Sequence, residues 1–138
     1  MAELGTFQRP FDQLSATDIL ALVEGGVEES RTLDFKRELP DNSERDKQKL
    51  RSHVCAFANS AGGDLIYGVD ETAGKACSLV GLDAADADAA IQRLQQMLLS
   101  GIAPRVDVQI RAVPLGGGRI AIIVRVPRSW LGPHWVQF

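Results

Sequence analysis

Ala56-Phe57-Ala58-Asn59-Ser60-Ala61-Gly62-Gly63-Asp64-Leu65-Ile66-Tyr67-Gly68-Val69-Asp70 decides the fold. Its first residues finish an apolar helix stripe made by Leu50, Val54, Phe57 and Ala58, at i, i+4, i+7 and i+8. Gly62 and Gly63 then turn the chain. Asp64 to Val69 is a nearly continuous apolar run, the pattern of a central strand covered on both faces. Gly68 inside that strand permits close approach of another backbone. These glycines follow a helix, whereas phosphate-cradling glycines precede one and use its free amides. The turn therefore reads as a helix C-cap leading into a strand. No Gly-x-x-x-x-Gly-Lys-Ser/Thr pattern occurs anywhere in the chain.

Upstream stands Glu29-Ser30-Arg31-Thr32-Leu33-Asp34-Phe35-Lys36. Alternation predicts a strand over residues 32–37, with Leu33 and Phe35 on one face and Thr32, Asp34 and Lys36 on the other. A helix beginning at Ser43 links this strand to the next. If the two strands lie side by side, Glu29, Asp34 and Asp70 converge. Three carboxylates in a cleft can hold one or two divalent ions, Mg²⁺ or Mn²⁺, and assist phosphodiester cleavage. On spacing alone the simpler reading of the same residues is preferred: fold support, with Asp34 pairing with Lys36 or Arg37 and Asp70 capping a turn.

The 138 residues make one domain, 45% hydrophobic and 24% charged, with a net charge of -3. That balance argues against coating nucleic acid by bulk charge, yet permits a local basic face. Lys36, Arg37, Arg45, Lys47, Lys49 and Arg51 cluster in one short span, interleaved with Glu38, Asp41, Glu44 and Asp46. A second arginine set, Arg105, Arg111, Arg119, Arg125 and Arg128, punctuates the end of the chain. Either set can contact phosphates or form a solvated face. No apolar run is long enough for a membrane helix, and Met1 to Pro10 lacks the pattern of a signal peptide, so a cytoplasmic protein is expected. Cys55, Cys77, His53 and His134 do not have zinc-finger spacing. No serine or cysteine stands in a nucleophile turn.

The rest of the chain completes an α+β architecture. Residues 1–14 read as an arm. Ser15 to Asp18 opens a helix carrying Ile19, Leu20 and Val23, which Gly25-Gly26 stops. Asp70 to Lys75 is a turn, and residues 76–80 a short edge strand. Asp83 is the expected cap of a third helix, with Ala87, Ala90, Ile91, Leu94, Met97 and Leu98 as its stripe and Gly101 as its stop. Alternation from Val106 to Ala112 and from Ile120 to Val126, around Leu115-Gly116-Gly117-Gly118, predicts a hairpin. The expected whole is a mixed sheet of four to five strands packed with two or three helices. The aromatic end, residues 128–138, packs on the domain, docks a partner, or leads into a longer protein.

Glu29-Ser30 with Leu33-Asp34-Phe35-Lys36 resembles the Glu-Ser and Leu-Glu-Phe-Lys signature of Schlafen AlbA-like domains. Residues 53–70 resemble the family's second signature, Ala-Phe-Ala-Asn-Thr/Ser-x-Gly-Gly-x-Leu-x-x-Gly-Val. Val80-Gly81-Leu82, Ile102-Ala103-Pro104 and the segment from Pro127 to His134 resemble its later landmarks. The resemblance spans residues 25–135 and implies an α+β nucleic-acid-binding module, standing in a transcriptional regulator or ATP-binding bacterial protein. For such a module the expected phosphate contacts, taken from the charge clusters, are Lys36, Arg37, Lys47, Lys49 and Arg51, with Arg119 and Arg125 as a second group, and a homodimer is expected. The resemblance also implies a rival, a metal-dependent endoribonuclease on structured RNA with Glu29, Asp34 and Asp70 as its triad. Asp34 stands where the family has glutamate, which sets the carboxylate back by one methylene. A protein-interaction scaffold using the aromatic end is a third expectation.

Overall fold

The structure is a computed structural model and describes residues 10–83 and 85–137. Its first residues form a short 3-10 turn, Phe11–Gln13, followed by α1 (Ala16–Glu24). Ser15 and Asp18 close a capping box, each side chain meeting the other's backbone. Then come β1 (Leu33–Lys36), α2 (Glu44–Ala58) and β2 (Gly63–Tyr67). Ser43 caps α2 by accepting a hydrogen bond from the Asp46 amide at 3.2 Å. The unit β1–α2–β2 is a parallel crossover pairing Asp34 with Leu65 and Lys36 with Tyr67.

At Gly68 the chain bends instead of running straight on. Gly68 has φ +101°, and a Cβ there would lie 3.2 Å from the Gly81 Cα. The expected strand over residues 64–69 therefore splits. Its tail becomes β3 (Val69–Thr72), which forms a hairpin with β4 (Lys75–Leu79) about the left-handed pair Ala73 and Gly74. β5 (Leu82–Asp83) follows, then α3 (Ala87–Leu99), β6 (Ile102–Ala103), β7 (Gln109–Gly116), β8 (Arg119–Val126) and β9 (Trp135–Val136). Asp86, rather than Asp83, caps α3, accepting from the Ala89 amide at 3.3 Å. Asp83 lies in β5, opposite Arg119.

The main sheet is mixed and five-stranded, as the patterning predicts. β8 lies antiparallel to β2 and, on its other edge, to β7; β5 takes up the stretch of β8 that β2 leaves uncovered. β1 is an outer strand. Each face has its own core. On one, Leu50, Val54 and Phe57 of α2 and Leu94, Met97 and Leu98 of α3 pack on Leu65, Tyr67, Ile122 and Val124. On the other, Ile19 and Leu22 of α1 pack on Leu33, Phe35, Ile66, Val113 and Ile123. Leu22 is buried and Leu20 is 42% exposed, so the buried stripe of α1 is shifted from the expected one.

Residues 11–14, expected in the arm, belong to the domain: Leu14 is buried in the second core, and residues 1–9 lie outside the described region. The buried Asp64 takes a two-pronged ion pair from Arg125, directly opposite it on β8, at 2.9 and 3.1 Å. Phe11 covers that guanidinium at 5.1 Å. Arg111 donates to the carbonyls of Phe11 and Leu14 at 2.9 and 2.5 Å. These charged hydrogen bonds fasten the N-terminal turn to the sheet.

Candidate nucleic-acid interface

Alternation along β1 sends Leu33 and Phe35 toward α1 and turns Asp34 and Lys36 toward α2. The crossover lays α2 over those polar side chains, and His53 on α2 meets Asp34. The His53 Nδ1 is 3.4 Å from Asp34 Oδ2, and Lys36 Nζ is 3.2 Å from the same oxygen. That oxygen is buried and has no well-directed hydrogen bond; the Lys36 ammonium and the His53 ring are the groups that face it. The His53 ring stacks on Phe57, one turn along, at 6.4 Å. Burial, and then the Lys36 charge, hold the His53 pKa below its ordinary value.

Glu29 has a structural task here. Its Oε2 accepts a hydrogen bond from the Phe35 amide at 3.0 Å. Ser30 exchanges backbone hydrogen bonds with Leu33 at 2.9 and 3.3 Å. The segment before β1 thus folds back along the open edge of the strand and occupies donors that would otherwise invite another strand. Burial, reinforced by a hydrogen bond with Asp34, raises the Glu29 pKa. Glu29 and Asp34 are therefore neighbours, as the spacing expects.

Asp70 is not brought into that pair by the register. Asp34 sits opposite Leu65, and the bend at Gly68 turns the following residues into the β3–β4 hairpin. Arg37 Nη1 holds Asp70 Oδ2 at 3.2 Å. A divalent ion would need several of these carboxylates on one cation, and the residues present do not fit it. The Lys36 ammonium already faces Asp34, and a guanidinium faces Asp70. Among the described residues, no three His, Cys, Asp or Glu side chains converge as metal ligands do.

The seven expected phosphate contacts fall into different situations. Arg51 is buried: its Nε donates to the Met97 carbonyl at 2.8 Å and its Nη2 to Ser100 Oγ at 3.4 Å. It ties α2 to the C-terminal end of α3 and does not reach a surface ligand. The expectation failed because Arg51 follows Leu50 on the seam between the two helices. Gly101 was the available signal, since a Cβ there would lie 1.9 Å from the Arg51 Nε. Arg125 is committed to Asp64 and Phe11. Lys36 and Arg37 are exposed but ion-paired, and Lys47 faces Glu44 at 3.8 Å. Lys49 and Arg119 are exposed and have no acidic partner among the described residues. Of these two, Lys49 lines a groove of about 600 Å³ between the end of β1 and α2, together with Lys36, His53 and Tyr67.

Arg31, which neither expected set includes, and Arg128, a member of the second arginine set, are also exposed and have no acidic partner among the described residues. Arg31 lines a second groove with Glu29, Asp34 and His53. Arg128 lines a third with Thr32 and Gly62 to Asp64. His53 belongs to the first and second grooves at once, which makes it the saddle between them. Neither the role of His53 nor that of Arg31 was legible from spacing, because both depend on how α2 crosses β1.

The sheet order and the crossover make this an α+β domain. The family model described as "Schlafen, AlbA_2" matches residues 29–137, and the chain belongs to that family. Among solved structures, it is similar to the N-terminal domain of an ATP-dependent DNA helicase RecG-related protein from Nitrosomonas europaea. That match has a TM-score of 0.67 and 26% identity, and covers 91% of this chain and 82% of the other. The DIP2311 protein from Corynebacterium diphtheriae matches with a TM-score of 0.46 and 22% identity, over 80% of this chain and 24% of that one. No curated protein matches the chain.

Proposed function

We propose that this domain is a nucleic-acid-binding module whose contact surface is the exposed face of β1 and α2. The observation that carries the reading is the groove beside β1, where Lys49, with no acidic partner among the described residues, stands next to Lys36 and His53. A concave strip with an uncommitted cation and half-committed neighbours suits a phosphate backbone. Glu38 and Asp46 also line the groove. Asp46 Oδ2 is turned to the Asp41 amide at 2.9 Å, and so serves the start of α2. The similarity to a domain of a protein named after a DNA helicase supports the same reading. In a longer protein such a module holds nucleic acid for the activity of its neighbours, and transcriptional regulation is the use implied by the family resemblance.

Fluorescence anisotropy with labelled RNA and DNA tests this. Lys49→Glu, at an exposed site, should leave folding intact and weaken binding several-fold. Undiminished affinity in Lys49→Glu and in Lys36→Glu would remove the groove from the interface.

A further inference from the structure

Trp130 is 80% exposed and Leu131 73%, an unusual display for large apolar side chains. They are not on a loose end. Ser129 donates its amide to the Ala58 carbonyl at 3.0 Å, at the end of α2. Five residues on, His134 is buried: Asn59 Oδ1 accepts its amide at 2.7 Å, and Asn59 Nδ2 donates to its carbonyl at 2.9 Å. The His134 ring closes the loop. Its Nδ1 meets the Pro104 carbonyl at 2.6 Å, and its Nε2 meets Ser129 Oγ at 2.5 Å. A carbonyl can only accept, so Nδ1 carries a proton and donates it to the Pro104 carbonyl. Residues 129–134 thus form a loop with both feet fixed, holding an indole out into solvent. The Arg128 guanidinium lies 4.1 Å over the Trp130 ring.

The position of this loop gives the display a meaning. The first two grooves share His53. The second ends at Arg31 and Ser60, and the third begins at the adjoining Thr32 and Ala61 and reaches Arg128. The three grooves thus follow one another as a track from Lys49 along α2 and the edge of β1 to Arg128, whose guanidinium lies over the indole. The helical part alone is about 14 Å at 1.5 Å per residue. Lys49, Arg31 and Arg128, which have no acidic partner among the described residues, are spaced along the track, beside the acids Glu38, Asp46, Glu29, Asp34, Asp64 and Asp107. A row of phosphate-seeking cations ending in a rigid, solvent-facing aromatic is the arrangement that holds an unpaired strand, whose bases are free to stack. A duplex keeps its bases in the helix and has none to offer.

We infer that the track takes a single-stranded nucleic acid, with phosphates along Lys49, Arg31 and Arg128 and a base stacked on Trp130. This rests on the binding function proposed above and adds the class of ligand to it. Arg128 holds one face of the ring and leaves the rest to the base.

The test uses anisotropy with a short labelled oligouridine and a duplex of the same length. Trp130→Leu keeps an apolar side chain and removes stacking; Trp130→Phe keeps a smaller stacking face. The expected result is a loss of about tenfold in oligouridine affinity for Trp130→Leu, within the range of one stacked base. Trp130→Phe should recover most of that loss, and duplex affinity should not move. If Trp130→Leu binds oligouridine like the parent while Lys49→Glu is weakened, the stacking assignment is wrong and the binding function stands. If the parent binds neither probe, both fall. If sedimentation shows that Trp130→Leu alters self-association and leaves affinity unchanged, the loop contacts a second copy and the inference is overturned.

Discussion

His53 Nδ1 stands 3.4 Å from Asp34 Oδ2, across the line where α2 passes over the outer strand of the sheet. The contact joins residues from two elements and marks the centre of the exposed strip. Asp34 is the hub, with Lys36 on one side, His53 above and Glu29 beside it. Among the described residues no metal-ligand cluster forms here, and Lys36 answers the Asp34 carboxylate directly.

The pH behaviour of this cluster follows from its burial. His53 should titrate below the ordinary histidine value of 6.5, and Glu29 above the ordinary 4.5. A histidine with a depressed folded pKa binds fewer protons folded than unfolded, so its contribution is complete above the unfolded pKa and declines as pH falls. Glu29 has the opposite sign: its raised folded pKa favours the folded state at low pH, and that contribution is lost as pH rises through the folded value. NMR titration of the two side chains checks both directions.

Glu29 is expected to matter as an edge cap. Glu29→Gln keeps an acceptor for the Phe35 amide and no longer ionises, so stability at neutral pH should be equal or greater. Glu29→Ala leaves that amide without its partner and should cost about 1–3 kcal/mol. Urea unfolding of the two variants separates the roles, and equal losses in both would contradict the cap.

The Asp64–Arg125 pair is buried beneath Phe11. Asp64→Ala takes from the partly buried Arg125 guanidinium its two-pronged carboxylate, and should destabilise by about 3–5 kcal/mol. Replacing both residues by apolar ones should recover much of that. Thermal unfolding of the single and double variants measures the difference.

Gly62 carries φ +80°, and a Cβ there would lie 2.7 Å from the Val126 carbonyl oxygen. Gly62→Ala should therefore destabilise by more than the usual 1 kcal/mol or so of an exposed glycine replacement, through strain and the clash together. Circular dichroism melting reads this. A melting temperature equal to the parent's would mean that the turn relaxes freely.

How much of this was readable beforehand depends on the range of the interaction involved. Ser15 and Ser43 announce α1 and α2 because capping is local. The β1–β2 pairing follows from one polar-apolar alternation and one fully apolar run. The cap of α3 was placed at Asp83, not Asp86, because two aspartates precede the same apolar stripe and only the pairing of Leu82 and Asp83 with β8 separates them. Gly68 was legible as a close approach to another backbone, but not as a change of direction. Glu29 and Asp34 were placed together correctly, whereas Asp70 was displaced by that change. Arg51 looked like part of a solvated face because its burial depends on α3, more than forty residues away. His53 and Arg31 gain meaning only from the crossover that stacks α2 on the strand edge.

The most direct test of the central claim is the salt dependence of binding to a labelled single-stranded oligonucleotide. The account predicts that the logarithm of affinity falls linearly with the logarithm of salt concentration. Lys49→Ala should make that slope shallower by about 0.7, the share of one phosphate contact on a single strand. An affinity that does not vary with salt, or a slope that Lys49→Ala leaves unchanged, would contradict the assignment of this face to nucleic acid.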